Sequence, residues 1–294
     1  MISVVICSVN KALAAQVKRN IDNTIGVPFE LLLIDNVVEK RSITAVYNTG
    51  AAKSKYNIIC FVHEDVLFQT LNWGNIIVDL FSSQPETGLI GIAGAKYKSR
   101  ALSGWTTGIQ DFDCCNIIHK DPSGESQRIY LNPEPGTALQ KTTNIDGVFM
   151  CCRKQVWSET RFNEEILTGF HLYDIDFSMA VSIKHEVAVT YEIDMVHLTK
   201  GGDYGDAWVN YTLLWHKNKR HLLPRLTEHR MPDSISGIEK KIKRMWLNRL
   251  KGEPILFRNR LKWLAANNAF SDIDLLPHIL LFLFYRNAKR LRKH

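Results

Sequence analysis

The stretch Tyr56-Asn57-Ile58-Ile59-Cys60-Phe61-Val62 is apolar at every position from Ile58 on, and it stops abruptly at His63-Glu64-Asp65. A strand without polar alternation must be covered on both faces, as happens inside a largely parallel sheet flanked by helices. The rest of the first hundred residues obeys that requirement. Ser3-Val4-Val5-Ile6-Cys7 and Phe29-Glu30-Leu31-Leu32-Leu33-Ile34 read as strands, as does the glycine-punctuated run Gly88 to Gly94. Ala12 to Asp22, Ser42 to Ala52 and Trp73 to Phe81 read as helices. This βαβ rhythm predicts an α/β domain, in which ligands bind beyond the carboxyl ends of the strands. Polar residues at those ends are the candidates for function.

Periodicity fades over residues 99–144, where Asp121-Pro122-Ser123-Gly124 and Asn132-Pro133-Glu134-Pro135-Gly136 signal turns between edge strands. Gly147 to Cys152 predicts another apolar strand, and a helix is expected around Asp174 to Lys184. Gly201-Gly202-Asp203-Tyr204-Gly205 reads as a mobile loop, and 224–237, with Pro224, Pro232 and Gly237, as a linker. Beyond it, Ile238, Ile242, Met245 and Leu250, then Leu276, Leu280, Leu283 and Phe284, recur at roughly helical spacing among Lys and Arg. The expected division is residues 1–223 as the α/β domain and 224–294 as a basic helical extension.

The net charge of +7 belongs to that extension. Residues 236–294 hold 14 Lys/Arg against 4 Asp/Glu, leaving 23 against 26 in residues 1–235, a net of −3. A basic tail fits an acidic surface, whereas a near-neutral body argues against a nucleic-acid-wrapping protein, and no nucleic acid partner is expected. Two readings of the tail stand side by side. Its helices pack back on the domain, or Trp246, Phe257, Trp263 and Phe282 to Tyr285 dock on an anionic membrane surface.

The six cysteines, at 7, 60, 114, 115, 151 and 152, lack the CxxC spacing of a zinc site and are expected to be free, buried thiols of a reducing compartment. Met1 runs into an apolar strand without a basic leader, and the apolar run Ile279 to Tyr285 falls far short of the ~20 residues of a spanning helix. A cytoplasmic protein, soluble or peripheral on the inner face of the membrane, is expected.

Asp35 follows the second strand and emerges beside Ser8 and Asn10 at the end of the first, where the group could hold a nucleotide base; alternatively Asp35-Asn36 is a turn. His63-Glu64-Asp65 places three ionisable residues on an apolar strand end, either as a structural cluster or as a group that a diphosphate-bound Mg²⁺ or Mn²⁺ would neutralise. In Tyr173-Asp174-Ile175-Asp176-Phe177, the carboxylates complement a helix dipole, or Asp174 accepts the proton of an attacking hydroxyl. His197 could bind phosphate, complete a metal shell, or simply pack. Ser8-Val9-Asn10-Lys11-Ala12 contains no glycine, which excludes the G-x-G-x-x-G turn of a nicotinamide dehydrogenase and the phosphate-cradling loop of a nucleotidyltransferase.

In order and spacing, residues 2–200 resemble the family 2 glycosyltransferases of the GT-A fold. Ser3 to Asn10 is similar to their opening strand, Leu33-Ile34-Asp35-Asn36 to the second strand with its base-binding Asp, and Asn48-Thr49-Gly50 to their Asn-x-Gly helix. His63-Glu64-Asp65 stands where the family has Asp-x-Asp, and the His-x-Asp-Val form resembles a subset named for a streptomycin-biosynthesis protein. Phe162-Asn163-Glu164-Glu165 with Tyr173 to Phe177 is similar to the region that supplies the catalytic base.

The resemblance implies a GT-A sheet, predominantly parallel, and an inverting transfer of sugar from a nucleotide-diphosphate sugar to a hydroxyl of a glycan or lipid-linked acceptor, in surface-glycan assembly. Asp174 would be the base. Asp65, with His63 and His197, would hold the metal, Ser8, Asn10, Asp35, Asn48 and Glu64 would border the nucleotide, and Asp146-Gly147 would border the donor sugar. His63 stands in place of the usual Asp and Tyr173 in place of the usual Glu. Both departures keep a non-catalytic domain that binds nucleotide-sugar or glycan as the competing reading.

Overall fold

The computed structural model describes residues 1–198, 204–227 and 234–285. It opens with β1 (Ile2–Ser8), α1 (Lys11–Thr24), β2 (Phe29–Asp35), α2 (Ile43–Lys53), β3 (Ile58–Val62), β4 (Val66–Phe68), α3 (Trp73–Ser83), β5 (Thr87–Gly91), β6 (Ala93–Ala95) and β7 (Tyr97–Lys98). Next come β8 (Asp113–Lys120), β9 (Ser126–Leu131), β10 (Leu139–Thr142), β11 (Asn144–Ile145), β12 (Phe149–Arg153), α4 (Lys154–Thr160) and α5 (Tyr173–Val181). β13 (Glu186–Thr190), β14 (Met195–His197), α6 (Asp206–Lys219), β15 (Arg225–Leu226), α7 (Ile235–Leu250), α8 (Phe257–Ala266) and α9 (Leu276–Phe284) follow.

Seven strands form the main sheet in the order β10-β13-β5-β12-β3-β1-β2. Five of them point one way, with β12 and β10 reversed. The apolar strand β3 lies inside this sheet and is covered on both faces as its sequence requires: Ile59 and Phe61 enter one buried cluster, Cys60 and Val62 the other. α1 and α3 cover one face through Val17, Ile21, Ile77 and Leu80, and α2 covers the other through Ile43, Tyr47 and Ala51. A Cβ at Gly50 would come within 2.3 Å of Val5 Cγ1, so this glycine is what lets α2 lie so close to β1.

A second sheet, β11-β6-β8-β14-β4 with β9 on β8, is built largely from the segment where periodicity fades. Asp121-Pro122-Ser123-Gly124 is the turn between β8 and β9: Asp121 accepts from Ser123 N and Glu125 N, and Gly124 takes a φ of +90°. The predicted strand Gly88 to Gly94 breaks at Ile92, its first part joining the main sheet and its last part the second.

The six cysteines are not all free. Cys60 and Cys151 face each other in the antiparallel pair β3–β12 and are joined by a disulfide. Their partnership depends on a strand pairing between residues 91 positions apart, which no local spacing reveals. Cys7, Cys114, Cys115 and Cys152 are free.

The predicted linker is partly ordered, since Arg225–Leu226 pairs with Tyr97–Lys98 and Gly237 lies within α7; residues 228–233, Pro232 among them, lie outside the described residues. Residues 201–203 of the predicted glycine loop also lie outside them. The C-terminal helices pack on the domain: Ile242, Trp246, Leu250, Trp263 and Phe282 are fully buried in the same cluster as Phe61. Trp246, Trp263 and Phe282 are therefore unavailable to a membrane, because covering the domain's apolar face removes them from solvent.

One buried carboxylate ties α7 down. Glu239 accepts from the Tyr97 hydroxyl (2.5 Å), the Ser99 hydroxyl (2.6 Å) and Arg100 N (3.0 Å). Removing it strands three donors, and Glu239→Ala is expected to cost about 3 kcal/mol of stability. The check is urea unfolding, read as a lower midpoint at unchanged slope.

Candidate active site

The carboxyl ends of β1, β2 and β3 open onto two connected cavities. The first, about 440 Å³, is a largely apolar groove walled by Val9, Leu13, Ile43 and Phe170, with Lys40 and Arg41 at its side. The second, about 330 Å³, is the more polar of the two, with Asp146, Asp174, His119, His171 and Arg249 set among Trp105, Ile117, Leu172 and Trp208. His63, Asp65 and Phe170 line both, so the strand-end cluster sits at their junction.

Strand register brings the cluster together. β14 runs antiparallel to β4 with His197 opposite Val66, and Leu198 N donates to Asp65 O (2.8 Å), which sets His197 beside Asp65. His197 Nε2 lies 3.3 Å from Asp65 Oδ2 and His63 Nδ1 lies 3.9 Å from Asp65 Oδ1. One ligand atom from each of the three residues falls within 4.8 Å of the others.

A divalent metal requires neutral imidazole and ionised carboxylate ligands, and His63 and Asp65 are each shifted toward those forms. Burial holds His63 below the usual imidazole range and His197 adds to that effect, although Asp65 and Asp146 oppose it. Burial pushes Asp65 up, yet the hydrogen bond and charge of His197 and the charge of His63 leave it below the ordinary carboxylate range. Two imidazoles and a carboxylate suit Mn²⁺ or another borderline divalent ion.

The two departures from the family pattern meet each other. Tyr173 Oη lies 2.6 Å from His63 Nε2 and donates to Gly147 O at 3.2 Å. When the phenol hydrogen goes to Gly147 O, the phenol accepts from a proton on His63 Nε2, and the Nδ1 lone pair then faces Asp65, the tautomer that a metal there requires. A Cβ at Gly147 would stand 2.1 Å from Tyr173 Oη, so this arrangement needs glycine at 147.

Asp174 lies at the start of α5 on the wall of the polar cavity, accepting from Ile175 N (2.9 Å) and Gly147 N (3.2 Å). Burial, and the Asp146 carboxylate after it, push Asp174 up to about 7 against those two hydrogen bonds. Asp176, two residues on, is buried and structural: Trp215 Nε1 donates to it (2.9 Å) and Lys219 lies 3.7 Å off, tying α5 to α6. Beneath the cavity, Lys98 is buried and donates to Ser103 O, Ser103 Oγ and Gly104 O. Burial pushes it down to about 7, while the Asp174 and Glu239 charges work the other way.

The remaining sequence candidates divide. Glu64 lines the groove and accepts from Val9 N (3.1 Å) and Asn10 N (3.1 Å), shaping the β1–α1 loop rather than presenting a free carboxylate. Asn10 caps α1, accepting from Ala12 N and Leu13 N. Asp35 forms a turn through Val37 N (2.9 Å). Ser8 is buried, and only its neighbours Cys7 and Val9 reach the groove. Asn48 lines neither cavity: its amide is spent on Phe162 N and O, Glu164 and Trp157 Nε1, a clamp of α2 onto α4 and the segment that follows it.

Several lining residues have no sequence signal of function. Arg249 enters from α7, stacked over Tyr204 (4.6 Å) and Trp246 (5.5 Å), and Trp208 stacks on Trp246 (4.9 Å). Arg249 lines the cavity, and only the packing of the C-terminal helices puts it there.

An open α/β sheet with a His/Asp cluster off its strand ends and a carboxylate across the cavity defines a GT-A-type domain. Residues 3–213 match the sequence model described as "Glycosyltransferase like family", and the chain belongs to that family. Among solved structures, GalNAc-T7 with UDP, GalNAc and Mn²⁺ superimposes at a TM-score of 0.51 and 9% identity, over 74% of this chain and 47% of that one. The chain thus spans about half the length of that structure. S. aureus TarS 1–349 aligns at a TM-score of 0.48 and 9% identity, over 97% of this chain and 93% of that one. No curated protein matches the chain in sequence.

Proposed function

We propose that the protein transfers a sugar from a nucleotide-diphosphate sugar to a hydroxyl of a glycan or lipid-linked acceptor, with inversion at the anomeric carbon. One observation carries the reading: the His63/Asp65/His197 cluster sits where an apolar groove meets a polar cavity that holds a carboxylate raised to about 7. The GalNAc-T7 structure, with UDP and Mn²⁺ bound, supports it as a likeness of fold. We assign the α/β domain to residues 1–223 and the helical extension to 224–294, and infer action at the inner face of a membrane in surface-glycan assembly.

The groove takes the nucleotide between Val9, Leu13 and Phe170, with Lys40 and Arg41 available to the diphosphate. A divalent metal held by His63, Asp65 and His197 would supply Lewis-acid stabilisation of charge on the departing diphosphate. Asp174 accepts the acceptor proton as the hydroxyl attacks the anomeric carbon and the nucleoside diphosphate leaves. Arg249 adds a fixed cation to the cavity, and the surrounding aromatic wall limits water. Arg249→Ala is expected to lower kcat/KM about ten- to a hundredfold, the worth of one lost charged hydrogen bond, in steady-state assays with a soluble acceptor.

The reading is tested by thermal unfolding with a panel of nucleotide-diphosphate sugars, with and without Mn²⁺. A ligand at a hundred times its Kd adds ~2.7 kcal/mol of stability. Stabilisation by one nucleotide family, enhanced by the metal, is the expected result. Stabilisation by glycans alone, with none by any nucleotide, would replace the transferase reading with that of a non-catalytic binding domain.

A further inference from the structure

We propose that the face built by α8 and α9 docks on an anionic lipid bilayer. Twenty large apolar residues are exposed among the described residues, and ten of them fall between Leu256 and Tyr285. On α9, Leu276, Leu280, Leu281 and Phe284 are exposed while Ile279 and Phe282 are buried. On α8, Phe257 and Leu261, one turn apart, are exposed while Trp263 and Leu264 are buried. The Phe257 and Phe284 rings lie 6.1 Å apart, so the two stripes form one patch. A patch of this extent on a folded chain marks an interaction surface.

Charge selects the occupant. Arg258 and Lys262 are exposed immediately after Phe257 and Leu261, and Lys251 Nζ lies 5.8 Å from the Tyr285 ring centroid. Five Lys/Arg occur in the nine residues that follow Tyr285 in sequence. The nearby acids are engaged elsewhere, Asp272 with Lys243 (3.1 Å) and Asp274 with Lys240 (2.7 Å). A second copy laid on this patch would set its cations against their counterparts, whereas a bilayer offers acyl chains to the apolar stripe and phosphates to the rim. Lys251 is two residues beyond Arg249, so the docking face lies at the end of α7 that also reaches the cavity. A lipid-linked acceptor would be presented close to Asp174.

The test is co-sedimentation of the full chain, without nucleotide, with vesicles of phosphatidylcholine alone and with added phosphatidylglycerol; it is independent of whether sugar transfer occurs. Binding to the anionic vesicles that weakens with salt is expected. Leu280→Ser with Phe284→Ser should abolish it, and Arg258→Glu with Lys262→Glu should weaken it by roughly fivefold or more for each cation removed. Circular dichroism melts check that both double variants stay folded. Failure to bind anionic vesicles, or variants that bind as the wild type does, would overturn the proposal. So would light scattering that shows a dimer of the wild type lost in the apolar variant without vesicle binding, which would assign the patch to a second copy.

Discussion

Asp174→Asn is expected to lower kcat for sugar transfer by about 10²- to 10⁴-fold, the usual worth of a general base, while metal-dependent stabilisation by the nucleotide-sugar survives. The asparagine keeps the shape and the hydrogen bonds from Ile175 and Gly147 but accepts no proton. The wild-type rate carries a pH signature. Because burial and Asp146 hold Asp174 up to about 7, the base is protonated below that pH; the rate should rise as pH passes through about 7 and level off above it.

The groups that face Asp174 tell how that limb should move. Asp146 raises its proton affinity, so Asp146→Asn should shift the midpoint to lower pH. Lys98 lies beneath the cavity and favours ionised Asp174, but burial pushes Lys98 itself down to about 7, so it loses charge in the same window and broadens the limb. Tyr204 and Arg249 complete the wall. A pH–rate profile of wild type and Asp146→Asn checks the assignment, and unchanged kcat in Asp174→Asn would sink it.

Asp65→Ala should have the second large effect, complete loss of Mn²⁺-dependent nucleotide stabilisation and at least a hundredfold loss in kcat/KM. Even residues that merely orient a metal ligand are worth 10- to 100-fold, and Asp65 is the sole carboxylate of the cluster and the neighbour of both imidazoles. The measurement is Mn²⁺ titration followed by thermal unfolding with the nucleotide. Tyr173→Phe separates direct from indirect roles: losing the hydroxyl's contacts to His63 Nε2 and Gly147 O but no metal ligand, it should weaken Mn²⁺ about tenfold and leave the nucleotide groove intact. Equal behaviour of Asp65→Ala and wild type would remove the metal from the reading.

Much of this arrangement was legible in the chain. Side-chain period and apolar runs report local burial, so β1, β2, β3 and the helices between them could be read directly, and the polar residues at their ends were found without a structure. The roles of those residues were less legible. Asn10, Asp35, Asn48 and Glu64 all had the right chemistry for a nucleotide, yet in the structure each has backbone or side-chain partners of its own. Whether an amide or carboxylate is already engaged depends on groups that fold against it from elsewhere, as Phe162 and Trp157 fold against Asn48.

Membership of a glycosyltransferase family, an α/β domain with Asp65 and His63 at a strand end, and a basic, helical C-terminal segment followed from the sequence alone, because each rests on order along the chain. The tertiary structure decided which distant residues share a space. The β14–β4 register set His197 on Asp65, the β3–β12 pairing joined Cys60 to Cys151, and the helices beyond residue 234 delivered Arg249 to the cavity while burying Trp246 and Trp263. Hydrophobic patterning says that a face will be buried but not by what. That choice is made by the fit of surfaces far apart in sequence, and it appears only when the chain has folded.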